Sequence, residues 1–265
     1  LMNRLYQSSA LLFTIIAATR SGIFDQLQTP RTPGEMAVSF PYPSIVSNMI
    51  PLLLEAGLIT EEDGKIRCSD LATAFFCTGS PYSQAAYLDK LFWHLEEHWL
   101  TLSERLESGP RLYSEEEFFS RHSLPSMASN ALTGRLQDVI TRIAALPRFS
   151  ECRRMIDLGG GHGLYALALV SLHPSLHAVV FDLPGVTEYT RRYIRRYGME
   201  DRVSVCPGDF LTDDVGTGYD IVLSSSNPSG KKVSMVPVIA ASLTAGGYFV
   251  NVQPGYDDTN AAPPW

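Results

Sequence analysis

The amino-acid sequence predicts an α/β protein with two parts: a mainly helical N-terminal part and a C-terminal parallel sheet with helices on both faces. Apolar residues recur at helical spacing through most of the first 150 positions. From Arg154 onward, short apolar strand-like segments alternate with helix-length stretches, and glycines follow the first of these segments. Such alternation is typical of parallel strands, whose connections need room for a helix.

The N-terminal segment 5–27 is predicted to form one helix. Leu5, Leu12 and Ile16 fall on one helical face, and Gly22 marks the point where the pattern weakens. The 265 residues, 45% of them hydrophobic, suffice for two modest domains.

A winged-helix order follows this first helix. Thr32 and Glu35 fit a capping box, a second helix is predicted over residues 44–56, and Gly57 has the position of a helix-ending glycine. Two short strands around an acidic turn complete a hairpin within residues 58–68. We therefore expect residues 1–105 to form a winged-helix dimerisation domain.

The charge pattern argues against nucleic acid as a partner. The second helix of the module carries no lysine or arginine for a DNA groove. The net charge is −7, which disfavours a phosphate backbone. We expect a homodimer that does not bind nucleic acid.

The remaining composition points to a cytoplasmic protein without a membrane span or a metal. The four cysteines form no Cys-x-x-Cys pair, as expected for reduced thiols. The apolar run 11–18 is too short to cross a bilayer. His94 and His98 have the spacing of two metal ligands on a helix, but the sequence offers no third.

Residues 106–150 are expected to form a helical linker with substrate-side helices, and residues 151–265 the sheet domain. Strands are predicted at 155–158, 178–181, 203–205, 219–223 and 248–252.

The first strand leads into the glycine-rich segment 159–163, with a helix predicted from Leu164. Glycines are required where the backbone turns sharply into a helix N-terminus and passes close to a ligand. Alone, this is a weak signal, because many nucleotide-binding folds share it.

Two acidic residues at later strand ends strengthen this signal of a nucleotide-binding fold. Asp182 lies nineteen residues after Gly163, where a carboxylate can accept hydrogen bonds from ribose hydroxyls or can simply cap the following helix. Asp209 could accept a hydrogen bond from an adenine amino group while Phe210 covers the face of the adenine ring. Open α/β sheets bind ligands at this edge.

Three segments resemble successive motifs of one family: 157–163 (Asp-Leu-Gly-Gly-Gly-His-Gly), 181–184 (Phe-Asp-Leu-Pro) and 208–210 (Gly-Asp-Phe). The family is that of small-molecule O-methyltransferases of the plant caffeate and animal acetylserotonin type, with their bacterial polyketide-tailoring relatives. Segment 55–59 is also similar to its dimerisation domain. The resemblance implies a Rossmann-like domain that binds S-adenosylmethionine.

The resemblance also implies site residues. It places Gly159 and Gly161 at the methionine part of the cofactor, Asp182 and Leu183 at the ribose, and the segment 208–210 at the adenine. The implied cofactor-binding residues are Gly159, Gly161, Asp182, Leu183, Gly208, Asp209, Phe210, Ser224 and Ser225. Relatives often carry lysine or arginine near the last two positions.

The sequence departs from the family where a general base is expected. The family's catalytic histidine falls at Ser229, and no histidine occurs after His177. Three explanations stay open: a loop missing from the sequence, transfer to an activated or carbon acceptor by positioning alone, or cofactor binding without transfer. The stretch after the fifth strand, 253–265, matches only the loop that leads to the family's last strands. Either residues are missing there or an intertwined dimer covers the sheet edge.

We therefore expect a methyltransferase acting on a small apolar or aromatic molecule, at a hydroxyl oxygen, with Trp99, Met127 and Asn130 on the substrate wall. The alternatives are C-methylation, a sensing or scaffolding protein that binds the cofactor, and a nicotinamide dehydrogenase built on the same glycine turn.

Overall fold

The computed structural model describes residues 1–112, 119, 123–227 and 232–253. The chain divides into two compact units, Leu1–Leu112 and Tyr113–Trp265. The first contains the helical region and the hairpin, and the second contains a five-stranded sheet, which confirms the predicted α/β fold class. The three-part domain division stays a prediction. In the part of the chain that is described, no helix combines the length and the apolar character needed to cross a membrane.

The first unit begins with two helices, so the prediction of one helix over residues 5–27 was wrong. Helix α1 covers Met2–Arg20 and α2 covers Ile23–Gln26. Gly22 lies between them with φ of 75°, a left-handed conformation that interrupts the helix and that glycine adopts without steric cost. The turn lets Ile23 and Phe24 enter the core of this unit.

The predicted helix, turn, helix and hairpin are present. Helix α3 covers Pro33–Val38, and Thr32 caps it in a capping box. Helix α4 covers Pro43–Glu55 and is followed by Gly57 with φ of 67°. Strands β1 (Ile59–Glu62) and β2 (Lys65–Cys68) pair antiparallel.

The rest of the first unit is helical. Its helices are α5 (Asp70–Phe75), α6 (Ala85–His94) with a π-helical extension (Leu95–Trp99), and α7 (Leu102–Ser108). Buried side chains from α2, α3, α4 and both hairpin strands form its core, which includes Phe24, Met36, Leu53, Ile59 and Ile66.

The second unit has helices α8 (Leu124–Ala131) and α9 (Arg135–Ala144) before the sheet. All five predicted strands are confirmed: β3 (Arg154–Leu158), β4 (His177–Asp182), β5 (Val203–Pro207), β6 (Tyr219–Ser225) and β7 (Leu243–Val252). They pair parallel in the order β5-β4-β3-β6-β7. Helices α10 (Leu164–Leu172), α11 (Pro184–Tyr197) and α12 (Val236–Ser242) connect them, and short 3₁₀ turns lie at Phe149–Glu151 and Val233–Met235.

The sheet is buried on both faces because its strands alternate between two hydrophobic clusters. Met155, Ile221 and Leu223 join the cluster that contains side chains of α8, α9 and α10. Ile156 and Val222, their neighbours along the strands, join the cluster that contains Ile239 of α12. The central strand β3 therefore has no solvated face, and its carboxyl end meets those of β4 and β6 at one edge.

Candidate functional site

The turn after β3 has a backbone that only glycine adopts easily. Gly159, Gly161 and Gly163 have φ of 66°, 54° and 71°, in the left-handed region. A Cβ on Gly163 would also lie 2.9 Å from the Thr190 methyl group. This geometry lets the turn lead directly into the N-terminus of α10.

Asp182 ties the end of β4 to this turn. Its Oδ2 accepts a hydrogen bond from the Gly161 N–H at 2.7 Å, and its Oδ1 accepts one from the Leu183 N–H at 2.7 Å. Burial raises the pKa of this carboxyl, although the two backbone donors favour the ionised form. Asp182 is thus a fixed acceptor group beside the glycine turn.

Asp157 lies beneath the same turn. Its side chain is fully buried, and neither carboxyl oxygen has a hydrogen-bond partner among the described residues. Burial, reinforced by the charge of Asp182, raises its pKa to about 7. A Cβ on Gly160 would lie 2.7 Å from the Asp157 carboxyl carbon, so the turn packs closely on the acid.

The end of β5 contributes a third acid and an aromatic ring. Asp209 Oδ1 accepts a hydrogen bond from the Leu211 N–H at 2.9 Å. Phe210 is buried among side chains on one face of the sheet. Its ring edge lies 3.5 Å from the position of a Cβ on Gly159. The ring of Phe210 therefore borders the glycine turn.

His162, within the glycine turn, has a structural contact. The side chain is 5% exposed, and its Nδ1 accepts a hydrogen bond from the Leu164 N–H at 3.1 Å. Burial lowers its pKa to about 4, so the imidazole is neutral near pH 7. This hydrogen bond satisfies a backbone donor at the start of α10.

These elements surround a cavity of about 290 Å³. Its lining combines carboxylates, backbone and apolar side chains: Phe119, Leu124, Met127, Gly159, Gly161, Asp182, Leu183, Val186, Gly208, Asp209, Phe210, Leu211, Ser225, Ser226, Asn227 and Lys232. A cleft with few polar groups on a largely apolar wall is typical of small-molecule sites.

The cavity includes most of the residues that the sequence indicated, but not all. Ser224 is fully buried within β6 and Asn130 is exposed on α8, and neither lines it. Trp99 belongs to the first unit, where it is 64% exposed. The position of Ser229 lies outside the described residues.

Further residues that line the cavity were missed by the sequence interpretation: Phe119, Leu124, Val186, Leu211, Ser226, Asn227 and Lys232. Strand β6 ends at Ser225, two residues later than predicted. Because the strand is longer than predicted, the residues at its end that line the cavity are Ser225, Ser226 and Asn227 and not Ser224. The sequence did contain a signal for this site residue, since Asn227 is a polar residue shortly after a buried strand.

Comparisons with known proteins concern the family and the fold. The family model for the O-methyltransferase domain matches residues 116–226. A protein of Methanocaldococcus jannaschii without a characterised function is 28% identical over 96% of this chain and 69% of its own length. A 3-hydroxy-5-methyl-1-naphthoate 3-O-methyltransferase of Streptomyces sahachiroi is 26% identical over 80% of this chain and 63% of its own. The chain thus spans about two thirds of the length of these relatives.

Solved structures share the fold over nearly the whole chain. Human N-acetylserotonin methyltransferase in complex with S-adenosylmethionine superimposes with a TM-score of 0.80, at 20% identity, over 99% of this chain and 81% of its own. Together with the family match, this confirms the resemblance seen in the three motifs. Residues 116–226 thus match the O-methyltransferase domain family, and the chain shares the fold of the solved methyltransferase.

Proposed function

We propose that this protein transfers the methyl group of S-adenosylmethionine to a hydroxyl oxygen of a small aromatic molecule. One observation carries the proposal: the glycine turn, Asp182 and the Asp209–Phe210 pair border a single cavity. When bound, S-adenosylmethionine supplies a methyl group that is already activated by the positive sulfur.

The residues of the cavity fit this cofactor. Gly159 and Gly161 line the cavity without side chains, which lets the methionine part approach the backbone of the turn closely. The carboxylate of Asp182, with Leu183 beside it, can accept hydrogen bonds from the ribose hydroxyls. Asp209 can accept from the adenine amino group, and Phe210 can cover the ring.

The acceptor would lie against the apolar part of the lining, where Leu124 and Met127 of α8 are found with Phe119. The aromatic substrate of the Streptomyces relative, a hydroxynaphthoate by its name, supports an aromatic acceptor here.

No base is assigned. A phenol has a pKa near 10, and Lys232, which lines the cavity, would stabilise its ionised form electrostatically. Holding an ionised oxygen in line with the methyl group supplies much of the acceleration for such a transfer. A phenolic hydroxyl therefore suits this site better than an aliphatic one.

Further parts of the proposal concern assembly and location. We propose a homodimer formed through the winged-helix region of the first unit. The net charge of −7 and the four free cysteines support a cytoplasmic protein that does not bind nucleic acid.

The experiment is calorimetric titration with S-adenosylmethionine and S-adenosylhomocysteine, followed by turnover on a panel of phenols. We expect Asp182→Ala to weaken binding of both at least tenfold, because a ribose acceptor within the site is lost. Asp138→Ala is the matched control, since Asp138 is an exposed aspartate of α9 outside this cavity.

Three outcomes would contradict the proposal in different ways. Absence of cofactor binding would contradict the whole proposal, and binding of NAD instead would favour a dehydrogenase. Tight binding of both S-adenosyl compounds without turnover of any phenol or carbon acid would favour a sensing or scaffolding role.

A further inference from the structure

The segment after β6 turns sharply at Ser226. This residue has φ of 54°, a left-handed backbone that a non-glycine residue rarely adopts. Two contacts hold it: its N–H donates to the Val252 carbonyl at 2.7 Å, and its Oγ accepts from the Arg135 guanidinium at 2.5 Å. Arg135 belongs to α9, so a distant element fixes the turn.

The consequence of this turn is the placement of Asn227. Its Nδ2 donates to the Leu158 carbonyl at 3.3 Å, and Gln253 Nε2 donates to its backbone carbonyl at 3.1 Å. A Cβ built on Gly159 would lie 2.0 Å from Asn227 Nδ2, so the carboxamide lies directly on the glycine turn. Both the backbone and the side chain of Asn227 are therefore held in place.

Gly159 also lies close to the ring of Phe210. The position of a Cβ on Gly159 is 3.5 Å from the Phe210 ring and 3.0 Å from the Asn227 Cγ. Under the proposed function, Gly159 contacts the methionine part of the cofactor and Phe210 the adenine. In the cofactor, the sulfur joins those two parts, and Asn227 lines the same cavity while lying against Gly159, the turn residue assigned to the methionine part.

We propose that the Asn227 carboxamide contacts the sulfur end of the bound cofactor and favours S-adenosylmethionine over S-adenosylhomocysteine. This inference rests on the proposed function. Because a carbonyl acceptor can receive only from the NH₂ group, the contact with Leu158 turns the amide oxygen away from Leu158. An amide oxygen carries partial negative charge, which stabilises a positive sulfur and has less effect on a neutral thioether.

The test is the ratio of the two affinities, measured by calorimetry without any acceptor. Asn227→Asp keeps the size of the side chain and adds a negative charge, while it gives up the Nδ2 donor to the Leu158 carbonyl. We expect it to raise the preference for S-adenosylmethionine about tenfold, because an opposite charge within a few ångströms is strongly felt in a partly buried site. Asn227→Ala removes the dipole without adding charge and should lower the preference about threefold.

The control is Asn251→Asp, which adds the same charge on β7. Asn251 is exposed, its Oδ1 accepts from Gln253 Nε2 at 3.0 Å, and it does not line the cavity. It should leave the ratio unchanged. Equal weakening of both ligands by both Asn227 variants would indicate a structural role and overturn the inference, as would a lower ratio in Asn227→Asp. If the wild-type protein binds neither ligand, the proposed function itself fails.

Discussion

At the scale of single residues, two buried ionisable groups near the glycine turn make the stability depend on pH in opposite directions. The pKa of Asp157 is raised from 3.8 to about 7, so the folded chain binds more protons than the unfolded chain between those two pH values. The pKa of His162 is lowered to about 4, so the unfolded chain binds more protons between pH 4 and 6.5. In the shared window the two effects offset each other, since stability falls with rising pH for the first and rises for the second.

The contribution of Asp157 is therefore best measured as a difference between two proteins. Relative to the wild type, we expect Asp157→Asn to gain about 1.4 kcal/mol of unfolding free energy per pH unit between pH 5 and 7, because the variant has no acid to ionise in the buried site. Urea denaturation at pH 5, 6 and 7 measures this. Asp138→Asn, at an exposed aspartate, should give a constant difference. Parallel curves for Asp157→Asn would show that this carboxyl does not titrate in the window.

At the scale of elements, local chemistry decides where helices begin and end. The capping box of α3 satisfies two backbone donors: the Glu35 N–H donates to Thr32 Oγ1 at 3.1 Å, and the Thr32 N–H donates to Glu35 Oε2 at 2.8 Å. Gly22 ends the first helical pattern in the same local way. That glycine was visible in the sequence, but its left-handed conformation was not, and the helix was predicted across it.

The capping box gives a prediction at this scale. Thr32→Ala should lower the free energy of unfolding of the first unit by about 1 kcal/mol, because the Glu35 N–H loses its acceptor. Thr32→Ser keeps the hydroxyl and should retain most of the stability. Thermal denaturation followed by circular dichroism tests both. Equal melting temperatures for the alanine variant and the wild type would mean that solvent replaces the cap without cost.

At the scale of the whole molecule, the cavity beside the glycine turn belongs to one unit. All of the described residues that line it lie within Tyr113–Trp265. The first unit has a separate hydrophobic core around Phe24 and Leu53. Ligand binding should accordingly stabilise the two units to different extents.

Hydrogen exchange would measure that difference. With S-adenosylhomocysteine at 100 times its dissociation constant, binding contributes about 2.7 kcal/mol. We expect about 100-fold slower exchange for the most protected amides of β3 and β4, and little change in α4. Asp182→Ala at the same ligand concentration should lose most of the protection. Equal protection in both units would show that they unfold as one cooperative body.

The sequence by itself determined the strands, the capping box, the hairpin and the acids at the ends of β4 and β5. These features depend on short-range periodicity, turn chemistry and residue type, which can be read along the chain. The three motifs also indicated the family resemblance and the cofactor that it implies.

Only the tertiary structure decided which residues meet. The pairing of Arg135 with Ser226 joins positions 91 residues apart, and the placement of Asn227 on Gly159 depends on that pairing and on the true end of β6. The burial of Asp157, and with it the raised pKa, follows from helices packed on both faces of the sheet. Such effects come from contacts between distant segments and from exclusion of water, neither of which a local pattern contains.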